Sequence, residues 1–64
     1  MEQNNIYNLM NQLTQESKSL WRIKKIYTKD AAKSPEIKKL WSNMTKSKEQ
    51  DIKELKNLIQ KHLK

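Results

Sequence analysis

Glycine and cysteine are absent from this chain, and proline occurs once. Without glycine there can be no glycine-rich loop to cradle a phosphate, and no helix can close with a left-handed glycine cap. Without cysteine there are no disulfides, thiolate metal sites or thiol nucleophiles, and cysteine usage says nothing about the redox compartment. No apolar run exceeds a few residues, so no segment reads as membrane-spanning. The opening Met1-Glu2-Gln3-Asn4-Asn5 lacks the basic-then-apolar order of a signal peptide. A cytoplasmic protein with no membrane contact is therefore expected. Catalytic inventory is equally thin. The one histidine, His62, lies close to the C-terminus and reads as a solvated or helix-end cation, while Ser17 and Ser19 have no base beside them. No enzyme activity and no cofactor are expected.

What the chain does have is charge. Its 64 residues carry 14 Lys and Arg against 7 Asp and Glu, a net charge of +7. The excess is uneven, with five basic and three acidic side chains in residues 1–32 against nine and four in residues 33–64. A balance of this kind favours an anionic partner, either an acidic protein or nucleic acid. The candidate face comprises Lys38, Lys39, Lys46, Lys53 and Lys56. Lys39, Lys46 and Lys53 recur every seven residues, and Glu49 precedes Lys53 by four, the orientation of a favourable pair within one helix.

The only proline falls near the midpoint, in Lys33-Ser34-Pro35-Glu36. Ser34 suits an N-cap, Pro35 the first helical position, and Glu36 the positive end of the helix dipole. The spacing predicts one all-α domain over 1–64: helix one over about 4–32 with Asn4 or Asn5 as cap, a turn at about 33–35, and helix two over about 35–63. Helix one carries an apolar stripe of Ile6, Leu9, Met10, Leu13, Leu20, Ile23, Tyr27 and Ala31, widened by Trp21 and Ile26. In helix two the stripe runs Ile37, Leu40, Trp41, Met44, Ile52, Leu55, Leu58, Ile59 and Leu63. Tyr7, Tyr27, Trp21 and Trp41 read as core or interface aromatics.

Apolar residues make up 34% of the chain, and two helices alone bury one stripe each. A lone hairpin should leave apolar surface wet, so two hairpins are expected to pair into a four-helix bundle, with Leu13, Leu20, Ile23, Tyr27, Trp41, Met44, Leu55 and Leu58 in its core or interface. Each stripe is interrupted at mid-height, helix one by Glu16 and Ser17, helix two by Lys48 and Asp51. Counted from the turn at about 1.5 Å per residue, Glu16, Lys48 and Asp51 reach nearly the same level. Charge inside an apolar stripe is costly unless it is paired or holds a metal. These residues therefore read either as a salt-bridged network or as a present or former ligand site.

The run Glu16-Ser17-Lys18-Ser19-Leu20-Trp21-Arg22-Ile23-Lys24-Lys25-Ile26-Tyr27, with Pro35 to Trp41 and Lys48 to Leu55, resembles one helical pair of the rubrerythrin and ferritin-like superfamily. The resemblance implies half of a di-iron carboxylate bundle, in which the first helix gives a Glu and the second a Glu-x-x-His. Glu16 matches the first. Lys48 and Asp51 stand at the two positions of the second, so no metal is expected and Glu16, Lys48 and Asp51 are vestigial-site candidates. The resulting expectation is a non-catalytic homodimer of ferritin-like form with salt bridges in place of iron. Two alternatives stand beside it: a residual iron or manganese binder using Glu16 and Asp51, and a basic adaptor for an anionic partner.

Overall fold

The computed structural model describes residues 3–63. Helix α1 (Gln3–Arg22) continues through a π-helical segment (Ile23–Tyr27) into a short α2 (Thr28–Asp30), and after a turn at residues 31–33 helix α3 (Pro35–Leu63) runs back alongside. The first helical arm thus ends at Asp30, two residues short of the expected limit, and the turn comes earlier. Asn4 and Asn5 are themselves helical, so neither stands as the cap of α1. No helix among the described residues is long and apolar enough to cross a membrane.

The turn is built without a left-handed residue. Among the described residues none has positive φ. The first arm closes by tightening: Ala32 N–H donates to Lys29 O at 3.2 Å and Ser34 N–H to Ala31 O at 2.9 Å, both three-residue bonds that use carbonyls a helix end leaves free. Ser34 then caps α3. Its hydroxyl accepts a long hydrogen bond of 3.4 Å from Ile37 N–H, and its carbonyl accepts Lys38 N–H at 3.0 Å, the first bond of the new helix. Pro35 loses nothing by lacking an N–H at that position, Glu36 lies in the first turn, and Lys61 and His62 complement the C-terminal end.

Between the arms runs a narrow seam. From α1 and its continuation it takes Ile6, Leu9, Leu13, Glu16, Leu20 and Ile23, and from α3 it takes Trp41, Thr45, Lys48, Ile52, Leu55, Ile59 and His62, all buried or half-buried. The steps alternate between three and four residues, which is the seam of an antiparallel coiled coil, two side chains per seven. Among the described residues only Ile23, Ala31 and Ile59 are buried. Met10, Ile37, Leu40, Met44, Leu58 and Leu63 were expected in the stripes and are instead exposed. They lie beside the seam, where a second helix alone does not reach them. Tyr7 and Trp21 are exposed too, for the same reason.

The π-helical segment corrects the seam near the turn. Thr28 N–H bonds to Ile23 O, five residues back, which inserts one residue into the helical count. An uninterrupted α-helix would carry the alternation from Ile23 to Tyr27 and Asp30. With the insertion it passes to Thr28 and Ala31, half-buried and buried respectively, while Asp30 is exposed and Tyr27 moves to the rim. A carboxylate is thereby kept out of the seam and a methyl takes its level. Tyr27 covers the edge, its ring centroid 5.0 Å from that of Trp41 at a tilt of 39°.

Ile23 is 1% exposed and sits where α1, the π-helical segment and α3 meet. Ile23→Ala should lower stability by about 3 kcal/mol, and Ser34→Ala by about 1 kcal/mol. Urea unfolding followed by circular dichroism checks both, the larger loss belonging to Ile23.

Candidate functional site

At mid-height the seam is charged. The Lys48 ammonium donates to Glu16 Oε2 at 3.0 Å, and both side chains are 18% exposed. The other Glu16 oxygen, Oε1, accepts from Gln12 Nε2 at 3.1 Å, one turn earlier on α1. Both carboxylate oxygens are therefore engaged. The heptad alternation forces this contact: Glu16 lies between Leu13 and Leu20 on its seam, and Lys48 lies between Thr45 and Ile52 on the other. The turn then sets them at one level.

The other two charge-gap residues leave the seam. Ser17 is exposed, and half-buried Ser19 replaces it at the edge. Asp51 is exposed as well, because it sits one position before Ile52 and so falls outside a seam only two residues wide. It lines an open hollow with Gln12, Glu16, Glu54, Leu55 and Leu58. Three carboxylates border that hollow, yet no group of three or more His, Cys, Asp or Glu side chains among the described residues is placed to hold a metal ion.

The seam divides the surface into two flanks of unlike chemistry. On one, Lys53 and Lys56 border hollows with Leu13, Leu20 and Glu49. Lys39 and Lys46 continue the Lys53 line at seven-residue intervals, so this flank is basic. Its one seam-side carboxylate, Glu49, pairs across the hairpin with Lys24 at 3.6 Å instead of along its helix with Lys53, and both groups are about half exposed, so the pair adds little stability. Exposed Trp21 and Tyr7 fall on the Lys24 side of α1. Lys38, three residues before Trp41, follows the seam line and does not share this flank.

The opposite flank carries the hollows bordered by Asp51 and Leu58, together with Asn5, Asn8 and Gln12 of α1. Ile37, Met44, Asp51 and Leu58 form its line at seven-residue spacing, with Leu40 beside them, all exposed. Towards the turn a further hollow is bordered by Tyr27, Asp30, Ala31, Ile37 and Trp41. The expected core and interface set is thus split: Leu13, Leu20, Ile23, Trp41 and Leu55 lie in the hairpin seam, Tyr27 at its rim, and Met44 and Leu58 on the apolar flank. The flank division was missed in the sequence, although sorting α3 by sevens separates Lys39/Lys46/Lys53 from Ile37/Met44/Leu58.

No family model, curated protein or solved structure matches the chain.

A nearly buried ion pair is worth less than its Coulomb attraction suggests, since both ions lose water, but breaking it leaves a stranded charge. Lys48→Leu or Glu16→Leu alone should each lower stability by about 2 kcal/mol. The double variant Glu16→Leu/Lys48→Leu should be at least as stable as the parent, gaining about 1 kcal/mol. Urea midpoints of the four proteins form a cycle that measures the coupling directly.

Proposed function

We propose that this chain is a small non-catalytic interaction protein that works as a homodimer, two hairpins closing into a four-helix bundle of ferritin-like form. The observation that carries the reading is surface. A folded monomer of 7.7 kDa is expected to expose about 4,300 Å², whereas the hairpin exposes 5327 Å². That excess, about 1,000 Å², is comparable to the ~800 Å² each partner contributes to a standard interface. Shape agrees: the radius of gyration is 14.5 Å, against about 11 Å for a compact 64-residue chain. Exposed Ile37, Leu40, Met44 and Leu58 supply apolar material for such an interface.

In this reading the Glu16–Lys48 pairs stand at the level where a ferritin-like bundle holds iron, and an ammonium there supplies the counter-charge to the carboxylate. The competing metal reading needs Glu16 and Asp51 of two protomers to converge on one cation. It is favoured only by their sharing a hollow, and it is opposed by the proximity of Lys48 to Glu16. A cytoplasmic location belongs to the same proposal.

A second reading is supported by one specific feature, the outward Trp21 and Tyr7, 57% and 69% exposed, on the side of the lysine flank. Aromatic faces beside a basic track suit single-stranded nucleic acid.

Sedimentation at micromolar concentration should give twice the chain mass, and a cooperatively melting monomer would refute the dimer. Adding Fe(II) or Mn(II) should leave the melting temperature unchanged; a rise saturating at stoichiometric metal would favour the metal reading. If the lysine flank binds single strands, retention of an oligonucleotide at about 50 mM salt should fall steeply by 200 mM and weaken on Trp21→Ala.

A further inference from the structure

We infer that the second copy docks on the flank of α3 that carries Ile37, Met44 and Leu58, with the two α3 helices antiparallel about a two-fold axis that passes near Ser47. This rests on the homodimer reading above and specifies its geometry.

The choice of flank follows from charge. An isologous interface brings the same patch of each subunit together. Joined through the basic flank, Lys39, Lys46 and Lys53 would face the same three ammonium groups of the partner subunit, a repulsion that two carboxylates, Glu36 beside Lys39 and Glu49 drawn towards Lys24, offset only in part. The opposite flank has the composition an interface core requires, with exposed Ile37, Met44 and Leu58 in register every seven residues. Its one charge on that line is Asp51.

The direction follows from Asp51. An axis parallel to the helices would set each Asp51 against Asp51 of the partner subunit. An axis perpendicular to them, crossing α3 midway between Met44 and Asp51, avoids this. It sets Ile37 against the partner's Leu58 and offers each Asp51 the partner's Met44, with the carboxylate free to reach the edge. Ser47 lies three residues after Met44 and four before Asp51, hence on the same face, and it is exposed. A small side chain at the crossing point lets two helices approach closely. The crossing is also near the middle of α3, which spans Pro35–Leu63, so the two helices overlap along most of their length.

The chain has no cysteine, so single cysteine variants report proximity without background. Ser47→Cys should form an intersubunit disulfide rapidly under mild oxidation. Leu58→Cys should not, because antiparallel docking holds its two copies about 30 Å apart, and Lys46→Cys should not, because it lies on the outer flank. Preferential cross-linking of Leu58→Cys would overturn the antiparallel axis. Preferential cross-linking of Lys46→Cys would overturn the flank while leaving a dimer in place. A wild-type chain that sediments as a monomer would overturn the dimer reading itself. Met44→Glu provides a second measurement: Met44 is 37% exposed in the hairpin, so helicity should persist, while the added carboxylate faces the partner's Asp51 and the dimer dissociation constant rises at least about tenfold. Unchanged self-association in that variant would also overturn the proposed face.

Discussion

The width of the seam governs this molecule. Two side chains in seven is the contact one helix can offer a single neighbour, and the hairpin uses that allowance fully from Ile6 to Ile23 and from Trp41 to His62. Everything apolar beyond it stays in water. The exposed Ile37, Leu40, Met44 and Leu58 are therefore not errors of packing but side chains that a two-helix structure has no means of covering. A thin seam also gives each layer weight. Among the described residues only Ile23, Ala31 and Ile59 are buried, so substituting one layer by a charged pair removes a sizeable share of the apolar contact, and the pair has to be well formed.

The same constraint explains the π-helical segment. In a broad core a carboxylate at the edge could turn aside, but in a seam two residues wide each position either faces the partner helix or leaves it. Inserting one residue between Ile23 and Thr28 moves Asp30 out and Ala31 in without any turn residue. Ala31, buried at the start of the turn, borders a hollow with Ile37 and Trp41 of α3. Tyr27, displaced to the rim by the same insertion, stacks its ring against Trp41 and covers the last layer. A chain without glycine thus achieves by helical register what others achieve by backbone freedom.

Much of this was legible in the sequence, and the exceptions have a common cause. Ser34-Pro35-Glu36 announces a helix start because its three residues satisfy three separate requirements of a helix N-terminus, and counting from it brought Glu16 and Lys48 to one level. Asp51 was placed with them because a stripe drawn at the ordinary helical period is wider than the seam. At 3.6 residues per turn, Ile37, Leu40, Met44, Asp51 and Leu58 merge with Trp41, Ile52 and Ile59 into a single face; at 3.5 they separate into a seam and a flank. Too many apolar residues for two helices was a correct inference, but composition does not say which of them the first partner takes. The π-helical segment left no mark, since Ile-Lys-Lys-Ile-Tyr has ordinary helix-forming residues and only tertiary packing selects its register.

The ion pair then acquires a role that its stability alone does not justify. Leucine and isoleucine layers are nearly interchangeable, so the seam tolerates sliding by seven residues with little loss in its apolar levels. Glu16 and Lys48 do not tolerate it. Slid one way, Glu16 meets Leu55 and Lys48 meets Ile23; slid the other, Glu16 meets Trp41 and Lys48 meets Leu9. Either shift strands two nearly buried charges against hydrocarbon, at a cost of several kcal/mol. The tight turn already forbids sliding within a closed hairpin, but it has no hold on two chains that meet before they fold, or on an opened hairpin that exchanges arms with its copy. There the charged layer alone marks the correct level. A pair that adds little to the stability of the right arrangement can still exclude the wrong ones.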